Sequence, residues 1–335
     1  MDEPNLPGNL REVYRAYVDV YGLDGLRTDY PGLAALAHAS RAVPAIEAFG
    51  AMQAKIRAKR DEADFYFLNA VKLDLHGVQV APENRFRGDG GDSDVRLCSV
   101  ISDYFQKDFV SANYLCHLST THRYMYVSVP KSGCTKIKKL LHEAELGLVV
   151  EPAGQVHWSE FSPLLEPIDD IDTFISATTQ PDWFRFGFVR NPFTRLFSCY
   201  QDKIVRSEME RRRLLPILGL PADAPAPSFK AFIRLVADQD DARRDIHWAS
   251  QCYLLRPDIV DYTFVGRFEA FADDLGHVCE RLAITPLEPL EKREHRGTSS
   301  ENIAQAYGAA ERDMVAEIYR NDFETFGYDP QRLPD

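Results

Sequence analysis

Arg123 to Lys136 reads RYMYVSVPKSGCTK, and the fold turns on how that stretch is divided. Arg123–Val129 is rich in β-branched and aromatic residues and is apolar on both faces. That is the pattern of a strand buried inside a parallel sheet. Pro130–Lys136 is a short loop with one glycine. Beyond it Ile137, Leu140, Leu141 and Ala144 recur at i, i+3, i+4 and i+7, which predicts a helix. The unit is strand, tight loop, helix. Such a loop points backbone N–H groups at one spot, and the helix dipole makes that spot favourable for an anion. Gly133 lets the backbone approach a ligand closely, and Lys131 adds a mobile positive charge. An ordinary strand–helix connection with a surface lysine is the competing reading.

A second unit of the same kind spans Phe184 to Arg206. Phe184–Val189, FRFGFV, reads as a short buried strand. Asn191 suits an N-cap and Pro192 a first helical position. Phe193, Leu196, Phe197, Tyr200 and Ile204 form one apolar stripe, with Arg195, Ser198 and Asp202 on a polar side. Further on, the basic and then Pro-rich Arg211–Ser228 reads as a surface excursion. Helical spacing resumes over Phe229–Ala237, a strand is expected at Tyr262–Gly266, and helices at Glu269–Leu282 and about Ala310–Phe326. Strands alternating with helices imply an α/β fold whose central sheet is mostly parallel and flanked by helices. Upstream, Asn5 to about Leu75 carries helical spacing, and Gly88–Asp94 is a turn or linker whose acidic residues miss the calcium-loop pattern. The chain therefore divides into an N-terminal helical region of unassigned role, 1–120, and a second domain, 121–335.

Composition narrows the function. The 335 residues carry 39 Lys+Arg against 51 Asp+Glu, a formal net charge of −12, so a general nucleic-acid binder is disfavoured. The six cysteines form no CxxC pair and no zinc spacing, and read as reduced thiols rather than a disulfide framework. No apolar run approaches the ~18 residues that cross a bilayer. The acidic start, Met1-Asp2-Glu3-Pro4, lacks a signal-peptide pattern, so a cytoplasmic protein with no membrane span is expected.

The first loop is not a Walker A motif, because Lys131 precedes the only glycine. A magnesium-dependent nucleotide kinase is therefore disfavoured, though it stays as the alternative enzyme. Cys134 is not followed by the arginine a C-x5-R phosphatase loop needs; position 140 is Leu140. In the second unit Arg190 and the hydroxyl of Ser198 can jointly bind a phosphate. The alternative is a structural arginine and a neutral helix serine. A ligand with two separated phosphate-like groups would explain both loops together.

PKSGCTK (Pro130–Lys136) and RNPFTRLFSCY (Arg190–Tyr200) together resemble the two cofactor motifs of the sulfotransferases. The likeness is nearest to the carbohydrate sulfotransferase group, with its chondroitin, dermatan and HNK-1-type enzymes. Asp245–Trp248 resembles that group's D-x-H-W, Tyr262–Glu269 its D-F-V-G-K-F-E, and Tyr319–Tyr328 its C-terminal Y-x-x-D-F-x-x-F-x-Y. The resemblance implies a P-loop-like sulfotransferase fold and the cofactor 3′-phosphoadenosine 5′-phosphosulfate (PAPS), with 3′-phosphoadenosine 5′-phosphate (PAP) as product. It implies that Lys131, Ser132, Gly133, Cys134, Thr135 and Lys136 hold the 5′-phosphosulfate, and that Arg190 and Ser198 hold the 3′-phosphate. Arg296 is a further candidate for that phosphate, or a solvated loop residue. It implies sulfuryl transfer, without a metal, to a hydroxyl of a carbohydrate or glycoconjugate. Lys131 would assist the leaving group, and a histidine would take the acceptor proton. His157 is the first candidate base and His247 the second; Glu160 and Asp245 are acidic alternatives. A non-catalytic PAP-binding protein is the third reading. The resemblance covers about Arg123–Asp329 and leaves the N-terminal region and the oligomeric state unassigned.

Overall fold

The computed structural model describes residues 114–147, 149–150, 156–157, 162–167, 169–290 and 300–334. The helical reading of Asn5–Leu75, the Gly88–Asp94 turn, Glu160 and Arg296 fall outside the described residues.

A four-stranded sheet is ordered β1-β2-β3-β4. Strand β1 is Cys116–Ser119, β2 Tyr124–Val127, β3 Phe184–Val189 and β4 Phe264–Arg267. β1 and β2 form an antiparallel hairpin, with Cys116 opposite Val127. β2–β3 and β3–β4 are parallel, with Tyr124 opposite Phe184 and Phe186 opposite Phe264. The sheet is thus mostly parallel, as the apolar runs imply. β1 had no sequence signal of its own, and it lies ahead of the division drawn at residue 121.

Strand periodicity sorts the core. Tyr124, Tyr126, Phe184, Phe186 and Phe188 face one side, where α1 (Cys134–Leu146) and the later helix α7 (Phe271–Leu282) cover them. Met125, Val127 and Val189 face the other side, against Phe174, Trp183, Leu254 and Leu255. Phe186 stacks on Tyr126 at 5.0 Å and meets Tyr124 edge-on at 5.9 Å. Each such buried ring contributes on the order of 2–3 kcal/mol through removal from water. α2 (Ile171–Thr179) connects to β3, whose Arg185 is buried and spends its guanidinium on the carbonyls of Asp261, Ala177 and Gln180.

After β3 comes α3 (Pro192–Cys199), capped by the Asn191 side chain accepting from the Phe193 N–H. The helix widens into a π-helical turn over Tyr200–Arg206. Its predicted apolar stripe is buried, from Phe193 through Ile204. Arg195, expected on a polar side, is buried instead. The Arg211–Ser228 excursion starts as a helix: α4 (Glu208–Leu214) runs into a 3-10 turn, Leu215–Leu218, and Leu214, Leu215 and Leu218 are buried. Those three leucines give a surface segment an inward edge. α5 (Phe229–Ala237) and α6 (Gln251–Leu255) precede β4; α8 (Ser300–Ala306), α9 (Ala309–Ile318) and α10 (Arg320–Phe326) end the chain. The single terminal helix expected over Ala310–Phe326 is broken at Tyr319, where φ −115 and ψ 28 end α9 and the Tyr319 hydroxyl donates to the Trp248 carbonyl at 2.6 Å. Among the described residues no helix is long and apolar enough to cross a membrane.

Candidate active site

β2 delivers Pro130–Gly133 to the N-terminus of α1. Lys131 and Gly133 both take positive φ, +71 and +89. Gly133 suits that geometry because it lacks a Cβ, and an added Cβ would overlap the Phe271 ring. The Gly133 carbonyl accepts from Lys136 and Ile137. That leaves the amides of Cys134 and Thr135, at the very start of α1, with no carbonyl one turn earlier in the helix and open to an anion.

β3 delivers Arg190 beside this loop. Its guanidinium donates to the Lys131 carbonyl (3.2 Å) and the Thr194 hydroxyl (2.9 Å), and lies 4.3 Å over the Phe268 ring. Thr194 and Ser198 lie four residues apart and share a face of α3, and Arg190, just ahead of the Asn191 cap, reaches that face through Thr194. Ser198 remains partly exposed on it. Gln251, fully buried, ties the two loops: its amide accepts from the Arg190 N–H (2.8 Å), donates to the Arg190 carbonyl (2.8 Å), and accepts from the Ser132 hydroxyl (3.4 Å). Gln251 and Cys252 in turn donate their N–H groups to the buried Asp322 carboxylate, each at 2.8 Å. Burial raises the pKa of Asp322 despite those bonds.

Arg195 serves as a strut. It donates to the carbonyls of Pro130 (3.0 Å), Ala249 (2.7 Å) and Ile246 (3.2 Å), so it fixes the first loop to the segment carrying His247. Asp202 pairs with Lys131 at 2.8 Å. Burial pulls the Asp202 carboxyl up, but the Lys131 and Lys203 ammoniums outweigh it and hold its pKa below the ordinary value.

The two histidines occupy the same site. His157 Nε2 lies 2.8 Å from the Thr135 hydroxyl, in the first turn of α1, and its Nδ1 lies 3.4 Å from the Tyr114 hydroxyl. Burial, followed by the cations Lys138 and Lys203, the nearby His247 and the cation Lys131, lowers His157 to about 4. Its imidazole is neutral at pH 7. His247 Nδ1 lies 2.5 Å from Asp245 Oδ1, which also accepts the His247 N–H at 2.9 Å. Burial lowers the His247 pKa against the pull of Asp245. Asp245 is pushed up by burial and, on balance, held below its ordinary value by His247 and Arg213. A neutral His247 then donates from Nδ1 to the carboxylate and keeps its Nε2 lone pair.

The structure therefore brings Lys131, Thr135, Arg190, His157 and His247 together. Ser132 faces Gln251, while Gly133 and Cys134 form the turn into α1, with Lys136 in its first turn. Sequence reasoning missed Gln251, Asp322, Tyr114 and Thr194. Thr194 was detectable at i+4 from Arg190; Gln251 and Asp322 carry no local signal.

A mostly parallel sheet thus sets the loops after two adjacent strands, β2 and β3, side by side, with Lys131 on one and Arg190 on the other. The sulfotransferase family model matches residues 117–329, and the chain belongs to that family. Carbohydrate sulfotransferase 14 from Homo sapiens is 28% identical over 224 residues, covering 63% of this chain and 59% of its own length. Carbohydrate sulfotransferase 8 from Mus musculus is 28% identical over 233 residues, covering 62% of this chain and 54% of its own. Carbohydrate sulfotransferase 10 from Xenopus laevis is 24% identical over 238 residues, with 63% and 66% covered. The chain thus spans 59% and 54% of the length of the first two of these relatives. No solved structure matches significantly.

Proposed function

We propose that the protein transfers a sulfuryl group from PAPS to a hydroxyl of a carbohydrate acceptor. The observation that carries this reading is the joining of two anion sites: the Arg190 guanidinium donates to the Lys131 carbonyl, and Gln251 binds both loops. A nucleotide with phosphate groups at both ends of its ribose fits a site with one cation at each end. The donor set agrees. Lys131, Thr135 and the amides opening α1 suit the 5′-phosphosulfate; Arg190, Thr194 and Ser198 suit the 3′-phosphate. PAPS, when bound, supplies an activated sulfuryl group.

Lys131, which pairs with Asp202 here, would hold the phosphosulfate end and would neutralise the charge that develops on the leaving group. His157 Nε2 accepts the acceptor's hydroxyl proton, having let go of Thr135, while Tyr114 holds the ring from Nδ1. Its depressed pKa keeps the lone pair free at neutral pH. The Asp245–His247 pair supports a second assignment, with His247 Nε2 as base and Asp245 fixing the tautomer. Under the first assignment His247 orients the acceptor.

Calorimetric titration with PAP tests the site. Lys131→Ala and Arg190→Ala should each weaken binding by about 10- to 100-fold, the worth of a charge-assisted contact of ~1.5–3 kcal/mol. Unchanged affinity in both variants would end the proposal.

A further inference from the structure

Among the described residues, Lys138 is a buried cation near the site whose ammonium has neither a carboxylate nor a carbonyl partner. Lys139 pairs with Glu288 at 2.8 Å, Arg244 with Asp241 at 2.9 Å and Arg256 with Asp258 at 2.8 Å. The buried Arg185 and Arg195 each donate to three carbonyls. Lys138, only 1% exposed, has neither arrangement: its ammonium lies 4.5 Å over the Tyr114 ring. Among the described residues no carboxylate lies within ion-pair distance of it. Cys134 and Glu166 are the acidic groups whose fields reach it, and burial still lowers it to about 8. A buried charge is costly unless something pairs with it.

Its position shows where that partner would come from. Lys138 follows Thr135 by three residues on α1, so the two side chains share a face, and a helical side chain leans back toward the helix N-terminus. The Tyr114 ring beneath Lys138 carries the hydroxyl that meets His157, and His157 meets Thr135. Lys138, Tyr114 and His157 are therefore linked contact by contact to Thr135, in the first turn of α1. Lys131, in the loop that leads into α1, is already paired with Asp202.

We propose that Lys138 is an oxyanion subsite that takes a carboxylate or sulfate borne by the acceptor, close to the hydroxyl that is sulfated. This rests on the sulfotransferase reading above. The acceptor is then an acidic rather than a neutral sugar chain. Its anion neutralises Lys138, and its hydroxyl falls within reach of His157. Lys138→Met keeps the length of the side chain and removes the charge. Removing a buried unpaired ammonium should leave the fold at least as stable, and Lys138→Gln provides a second variant.

The test is a thermal-shift and calorimetric series on wild type and both variants. PAP alone reports the nucleotide site. PAPS alone reports the sulfuryl end. A hexuronate-bearing oligosaccharide and its carboxyl-reduced counterpart, each added to PAP-loaded protein, report the subsite, and sodium sulfate at matched ionic strength is a small probe of it. The expected result has wild type binding the uronate-bearing chain or sulfate, with the variants losing about tenfold or more of that affinity. PAP and PAPS affinities stay within about twofold, and the carboxyl-reduced chain does not discriminate wild type from variant. Equal anion binding by wild type and variants, or no anion binding by wild type, overturns the subsite. A selective loss of PAPS over PAP overturns it as well, because Lys138 then serves the donor. Absence of PAP binding by wild type would instead overturn the nucleotide reading, an outcome read in a separate arm.

Discussion

Gln251→Ala should be among the most damaging single changes in the protein, although Gln251 is assigned to no phosphate. The side chain is fully buried and makes two 2.8 Å bonds to the Arg190 main chain, plus a longer one from Ser132. Truncation leaves the Arg190 N–H and C=O buried and unpaired, at about 1–3 kcal/mol each. A small cavity adds about 1 kcal/mol. The sum is roughly 3–7 kcal/mol, a large part of a typical folding free energy of about 5–15 kcal/mol. At about 2–4 °C per kcal/mol for a domain of this size, the melting midpoint should fall by roughly 6–28 °C. Gln251→Glu refines the test. It keeps the acceptor for the Arg190 N–H but turns the donor facing the Arg190 carbonyl into a second oxygen, so it should also destabilise. Both variants should weaken PAP binding, because the spacing of the two loops is no longer held. Thermal and urea unfolding with a parallel PAP titration read both effects. A Gln251→Ala protein within about 0.5 kcal/mol of wild type would refute the reasoning, since surface substitutions already reach that size.

Further expectations follow from individual contacts. Asp202→Asn should tighten PAP binding about two- to fivefold by calorimetry, because a half-exposed pair with Lys131 is worth about 0.5–1 kcal/mol and competes with the nucleotide; weaker binding would mean that Asp202 orients Lys131 for the ligand. Gly133→Ala should lose stability and PAP affinity together, since positive φ and overlap with Phe271 act at once. His157 has a folded pKa of about 4 against 6.5 for the free side chain, so the unfolded chain binds the proton more readily. Stability is therefore full above pH 6.5 and falls as pH drops toward 4; a urea series should show a smaller fall in His157→Gln, and a ring titration near 6.5 by NMR would contradict the buried neutral imidazole. With acceptor turnover in hand, His157→Ala should keep PAP affinity and lose turnover, whereas full activity in that variant with loss in His247→Ala would move the base to His247.

Much of the fold was legible because its elements carry short-range signals. FRFGFV matches β3 residue for residue, and Asn191-Pro192 marks the start of α3. The two anion loops were readable for the same reason: each follows a strand and opens a helix. Strand β1 was not readable, because CHLS is four residues long and becomes a strand only by pairing with Tyr124–Val127. Arg195 looked like a surface arginine, since helical spacing placed it opposite the apolar stripe. Its burial is set by three carbonyls 51 to 65 residues away in the chain. Gln251 and Asp322 act across 61 to 71 residues, so no local pattern announces them. The π-helical turn that carries Asp202 likewise leaves the apolar stripe intact and changes only where the polar side chains point.

The central claim is that Lys131 and Arg190 belong to one site for a nucleotide phosphorylated at both ends. The most direct measurement is a titration of the wild-type protein with PAP in the absence of divalent metal, beside ATP with magnesium. One-to-one PAP binding that raises the melting midpoint as ligand concentration rises, with no comparable effect of magnesium ATP, is the predicted result. Binding of magnesium ATP without PAP binding would contradict it and make the protein a kinase-type phosphoryl transferase.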